Sequence, residues 1–213
     1  ELFDVLEEIT SGPDPDYGAL AGSKSNTISS DQFSLAAKPL ALGAAEIAQV
    51  EADFAKELNN LRANPSHYLD FLEKDLKPTF SGNTIRKKVG DVMIELETRE
   101  GLAAVDDAIR ELRTAPSAPY MHDANGLNKA CKKSAQTMGT IGLEITNTST
   151  TMTDFGTAEG NFSSIALFGR TSAREFIMDF LVSDGDPQRS FRRALLNPAY
   201  KLFGVGYGPH SST

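Results

Sequence analysis

The chain has 213 residues, 40% hydrophobic and 23% charged, with a formal net charge of −8. This suits one domain with an extension, long enough to bury a real core. The acidic balance excludes a nucleic-acid-binding surface as the main business of the chain, because neutralising phosphates takes clustered Lys and Arg. No stretch approaches the roughly 20 apolar residues of a membrane span.

Leu2, Val5, Leu6 and Ile9 share one helical face, so residues 1–10 are predicted to form a short amphipathic helix. From Ser11 to about Leu42 the chain is rich in Gly, Ser, Pro and Ala without periodicity, which reads as an extended arm. Residues 1–45 are thus expected to be helix and arm, and residues 46–213 the domain. Such an arm either docks the domain to a neighbour or folds back on it. The chain starts at Glu1 without the basic start and apolar run of a signal peptide, as a processed or partial product would.

The domain opens with a helical stripe of Ile47, Val50, Phe54, Leu58 and Leu61. Asn64 caps a new turn with Pro65 at its first position, and Tyr68, Phe71, Leu72 and Leu76 continue an apolar face to Lys77-Pro78. Thr79 to Arg99 is a polar excursion with one strand-like run, Val92 to Leu96. Leu102, Val105, Ile109 and Leu112 predict the next helix, closed by Thr114-Ala115-Pro116. Leu127, Ala130, Cys131, Ser134 and Met138 then share a helix face, with Cys131 as a small core residue. Cys131 is the only cysteine, so no intramolecular disulfide can form. Ser172-Ala173-Arg174-Glu175 is a capping box opening a helix that buries Phe176, Ile177, Phe180 and Leu181. Asp184-Gly185 stops it, a further helix carries Phe191 and Leu195, and Tyr200 to Tyr207 reads as a strand.

Four segments then stand out together. They are Glu57-Leu58-Asn59-Asn60-Leu61-Arg62-Ala63-Asn64-Pro65, Leu127-Asn128-Lys129-Ala130-Cys131, Gly169-Arg170-Thr171-Ser172-Ala173-Arg174-Glu175, and Leu195-Leu196-Asn197-Pro198 running into Gly204-Val205-Gly206-Tyr207-Gly208. In this order the chain resembles the CAP superfamily, the cysteine-rich secretory, antigen 5 and pathogenesis-related 1 type domains. The resemblance implies an α+β fold, a three-layer α-β-α sandwich, here preceded by the irregular arm. It also implies one more strand after the final turn; with Thr213 following soon after that turn, either the fragment is truncated or its sheet lacks an edge. In that superfamily two histidines and two acidic residues line a cleft that can hold zinc. The corresponding positions here are Thr146, Ser163, Ser183 or Asp184, and Phe191, and no histidine lies between Asp123 and Pro209. His67, His122 and His210 match no ligand position. Neither metal nor cofactor is therefore expected, nor catalysis.

Other chemistry is poorly supported. Asp154-Phe155-Gly156 copies a kinase tripeptide without the other kinase elements, and the glycines from Gly204 to Gly208 lack dinucleotide-binding spacing. Arg189, Arg192, Arg193 and Lys201 offer an anionic headgroup or an acidic partner a contact, although a solvated helix face explains them more simply. Asn147-Thr148-Ser149 and Asn161-Phe162-Ser163 match the glycosylation acceptor pattern. The resemblance suggests an extracellular or luminal address, while the single cysteine leaves an intracellular assembly open. Two functions are expected from the whole: a non-catalytic scaffold subunit docked among other proteins through its arm, or alternatively a secreted or luminal lipid- or sterol-binding protein.

Overall fold

A computed structural model describes residues 2–9, 43–89, 92–141, 148–157 and 162–209. In chain order the elements are strand β1 (Leu2–Ile9), helix α1 (Ala44–Ala63), a short α2 (Tyr68–Asp70), strands β2 (Phe80–Ser81), β3 (Thr84–Val89) and β4 (Val92–Glu97), helix α3 (Leu102–Leu112), strand β5 (His122–Asp123), helices α4 (Asn125–Ile141) and α5 (Thr148–Thr153), strand β6 (Phe162–Phe168), helices α6 (Ala173–Val182) and α7 (Ser190–Leu196), and strand β7 (Tyr200–Gly208). A π-helical turn, Phe71–Leu76, continues α2.

The main sheet has the order β5-β7-β1-β6, and β2-β3-β4 form a second, antiparallel sheet. The first segment of the chain is therefore not the expected helix: Leu2–Ile9 is a strand, antiparallel to β6 on one side and to β7 on the other. Eight residues are too few for a helix to hold by itself, whereas a strand with two neighbours satisfies its backbone groups on both sides. Among the described residues, β1 occupies the antiparallel position beside β7. The expected arm, residues 11–42, lies outside the described residues. The second departure is the polar excursion, which holds β2 and β3 as well as the expected run in β4.

Strand β7 explains the layers. Its odd-numbered residues Phe203, Val205 and Tyr207 join the large core cluster with Phe54, Phe176 and Phe180 of α1 and α6. From Leu202 onward its even-numbered residues face α4, where Leu202 packs against Leu127, Ala130, Cys131 and Met152. Two of those even positions are glycines for a steric reason. A Cβ on Gly204 would stand 2.4 Å from the Leu127 carbonyl carbon, and one on Gly206 2.3 Å from that of Cys131. Period-two alternation thus puts a close-packed helix on one face and an aromatic core on the other, giving the three layers.

The motif residues fix this frame. The Asn59 amide brackets Met121, donating to its carbonyl (3.1 Å) and accepting its N–H (2.9 Å). Arg62, fully buried, donates to the carbonyls of Pro119 (2.8 Å), Leu195 (2.7 Å) and Tyr200 (3.2 Å), tying α1 to the entry of β5, the end of α7 and the start of β7. Asn128 accepts the N–H of Val205 (2.9 Å), fastening α4 to β7. Ser172 caps α6 by accepting the Glu175 N–H (3.3 Å), as the capping box requires.

Candidate functional site

The positions that correspond to the metal cleft fall in different elements. Thr146 lies outside the described residues. Ser163 is the second residue of β6, half-buried, in register with Glu7 of β1. Ser183 is buried in a left-handed conformation (φ 48°) at the end of α6. Its hydroxyl donates to the Phe180 carbonyl (2.7 Å) and accepts the Arg192 N–H (3.3 Å). Phe191, on the first turn of α7, packs edge-on against Phe180 with ring centres 5.9 Å apart. The neighbouring Asp184 accepts the backbone N–H groups of Arg99 (2.8 Å), Glu100 (2.8 Å) and Gly101 (3.3 Å), filling the N-terminus of α3.

The structure therefore brings Ser183, Asp184 and Phe191 to one junction of α3, α6 and α7, and each already has a framework role there. The Phe191 ring and the Ser183 hydroxyl, bound to two backbone partners, offer zinc none of the imidazole or carboxylate donors it takes, and the Asp184 carboxylate is already filled by three backbone N–H groups, so these residues do not fit the ion. Among the described residues, no three His, Cys, Asp or Glu side chains are grouped so as to hold a metal.

The basic residues need correction. Arg192 is fully buried, donating to the Leu181 carbonyl (2.6 Å) and pairing with Asp107 (3.2 Å) and Glu111 (2.5 Å). Arg189 makes a two-pronged contact with Glu100 (2.6 Å each) and reaches Asp107 (3.0 Å). Both are clamps between α3 and α7, and Arg192 has no surface to give a partner. Arg193 is exposed, and the Lys201 ammonium donates to the Pro198 carbonyl (2.9 Å). The Arg189 hydrogen bonds hold the Glu100 carboxyl below the usual range, outweighing partial burial. Burial alone would raise the Asp107 carboxyl, but the Arg189 hydrogen bond and the Arg192 charge bring it down.

Two concavities were invisible in the sequence. A groove of about 440 Å³ between the π-helical turn and α3 is lined by Glu73, Lys77, Asp106, Ile109, Arg110 and Arg113. Its charges pair across it, Lys77 with Asp106 (2.5 Å) and Arg113 with Glu73 (2.8 Å). A smaller hollow of about 170 Å³ lies between α4 and α5, with Leu127 and Met152 in its wall and Phe155 beside it. The Lys133 ammonium stands 5.7 Å over the Phe155 ring. Beyond these, the described residues expose the large hydrophobic side chains of Tyr120, Met93, Phe162 and Phe155.

The model of the cysteine-rich secretory protein family, CAP, matches residues 107–213, half of the chain, from the middle of α3 through β7. No curated protein and no solved structure matches. No helix among the described residues is long and apolar enough to cross a membrane.

Proposed function

The chain belongs to the cysteine-rich secretory protein family, a membership that points in general to a protein-interaction or lipid-binding module, and from it we propose that this domain is a non-catalytic interaction subunit of a larger protein assembly. The observation that carries the reading is the fate of the cleft positions. Phe191 lies edge-on against the core ring of Phe180, and the Ser183 hydroxyl closes the end of α6. A cleft whose polar positions have become frame has shape left to offer, and shape serves binding better than bond cleavage. In this reading residues 11–42 are the segment that docks the domain to its neighbours.

Zinc titration of the full chain by calorimetry, run beside native mass spectrometry of the protein isolated gently from its source, tests this. The expected result is no stoichiometric zinc and a defined complex with other polypeptides. Tight one-to-one zinc binding would overturn the non-catalytic reading, and a bare monomer from the native source would overturn the subunit reading.

Lipid binding is the second reading, and the hollow beside Leu127 and Met152 is the observation in its favour. At about 170 Å³ that hollow is below the roughly 300–1,000 Å³ usual for small-molecule pockets. The larger groove is lined mainly by paired charges, which suit an acyl chain badly. An extra mass of a few hundred daltons on the natively purified monomer, released on denaturation, would reverse this preference.

A further inference from the structure

The hollow between α4 and α5 and the exposed face of β4 carry complementary features. Leu127, Met152 and Phe155 give the hollow apolar walls, and Phe155 is still 37% exposed there. At about 170 Å³ it has room for one apolar side chain rather than for a lipid. Gly126, Lys129 and Lys133 follow one another on α4 at spacings of three and four, so they share a face of the helix. That face runs along Phe155: a Cβ on Gly126 would stand 3.2 Å from the Phe155 carbonyl oxygen, and the Lys133 ammonium lies 5.7 Å over the Phe155 ring. On β4, Met93, Glu95 and Glu97 alternate onto one exposed face, with Met93 60% exposed.

We infer that a second copy of this chain seats its Met93 in the α4–α5 hollow, with its Glu95 and Glu97 laid along Lys129 and Lys133. This rests on the reading of the domain as an interaction module and names a partner for it.

Size, spacing and charge select this occupant. Methionine is unbranched and polarizable, fills irregular gaps and gains from sulfur against an aromatic ring, which Phe155 supplies. Along a strand, Glu97 stands about 13 Å from Met93. Along a helix, Lys133 stands about 10 Å from Gly126, so two acids fall over two lysines once Met93 is seated. Lys133 also pairs with Asp154 and Glu95 with Arg86, but both pairs are exposed, and such pairs contribute little and exchange readily. Lys129 and Glu97 are exposed and have no ionic partner among the described residues. The chain as a whole carries −8, so two copies repel unless local charges oppose, and lysines on one face with glutamates on the other provide that opposition. An unrelated acidic peptide would have to bring the same order of anchor and acids, which this chain already displays. The two faces differ, so the contact is heterologous, made twice about a two-fold axis or repeated from copy to copy.

The test uses the full chain in sedimentation velocity from micromolar to near-millimolar concentration. The expected result is concentration-dependent self-association that Met93→Asp weakens about tenfold or more without lowering the melting temperature, because the anchor is lost from an exposed position. Lys129→Glu and Glu97→Lys, also at exposed positions, each weaken association on their own by setting like charges against one another. Mixed one to one, the two variants associate about as well as the unaltered chain, since every Lys129–Glu97 contact in a mixed complex is again of opposite sign. That recovery is a readout that lost folding would not give. A chain that stays monomeric throughout, association indifferent to Met93→Asp, or a mixture no better than either charge variant alone overturns the inference. A monomer that is nonetheless recovered in a stoichiometric complex with other polypeptides also overturns it, while leaving the module reading standing.

Discussion

Replacing Gly206 by alanine tests how tightly α4 is held against the sheet. A Cβ at that position would stand 2.3 Å from the carbonyl carbon of Cys131, 2.4 Å from the Lys132 nitrogen and 2.5 Å from the Cys131 oxygen. All three are helix backbone, so no side chain can turn aside. Ordinary carbon contacts sit at about 3.5–4.0 Å, so α4 must retreat by about 1 Å or more. A gap of that size forfeits roughly a quarter to a half of the contact energy across it. The helix buries Leu127, Ala130, Cys131, Ala135 and Met138 on this face, and a fully buried Leu or Met is worth about 1.5–3 kcal/mol. The expected loss is thus ~2–3 kcal/mol, in line with measured overpacking penalties. Gly208 is the internal control, since nothing lies within 4 Å of a Cβ there. Gly208→Ala should be neutral or slightly stabilising through the unfolded chain. In thermal melts followed by circular dichroism, Gly206→Ala should melt roughly 5–10 °C lower, at about 2–4 °C per kcal/mol for a chain of this size. If the two variants melt together, the close approach of α4 to β7 is wrong.

Three further outcomes are expected. Glu100 and Asp107 have depressed carboxyl values in the folded state, so their stabilisation is fully present above the ordinary carboxylate range and is lost as pH falls through the lower folded values. Denaturant midpoints should therefore drop in acid, and the double variant Glu100→Gln, Asp107→Asn should show a shallower acid limb from a less stable neutral state. Val5→Pro removes a backbone donor from a strand flanked by β6 and β7, costing about 1–3 kcal/mol for an orphaned ladder group; hydrogen exchange of 162–168 should speed up, and it would not if residues 2–9 were helical and unpaired. Tyr68→Phe deletes the hydroxyl that donates to Glu57 (2.7 Å) while Arg174 keeps its own bond to that carboxylate (2.7 Å). The loss, read by urea denaturation, should be ~1.5–3 kcal/mol for a bond to a charged group.

How much of this was legible depends on where the determining partner lies. The stripe from Leu127 to Met138 and the alternation of β7 carry their own periodicity, so α4 and the last strand could be read locally. Residues 2–9 could not, because Leu2, Val5, Leu6 and Ile9 also satisfy a helical spacing, and the strand exists through β6 and β7, more than 150 positions away in register pairs such as Val5 with Ile165 and Val205. β3 hid for a different reason. Its Arg86-Lys87-Lys88 run reads as solvated loop, yet Arg86 faces Glu95 across the pair at 2.8 Å. Arg189 and Arg192 read as a basic patch because their acids, Glu100 just before α3 and Asp107 and Glu111 on it, lie about eighty to ninety residues earlier. Charge sign is visible in a sequence, and pairing is not.

The same distinction explains why a family resemblance can be strong while saying little about chemistry. The residues that carry it here are mostly those that hold elements together. Asn59 brackets Met121, Arg62 gathers three carbonyls, Asn128 pins β7, and Gly204 and Gly206 admit α4. Changing any of them leaves buried backbone groups unpaired or drives atoms together, and costs stability whether or not the cleft works. The positions that correspond to the cleft carry framework contacts of the same kind. A Phe at 191 finds a ring to pack on and a Ser at 183 finds a helix end to close. The outline of the domain thus rests on residues of this kind whatever the cleft does, which is why recognising the fold says little about the chemistry done on it.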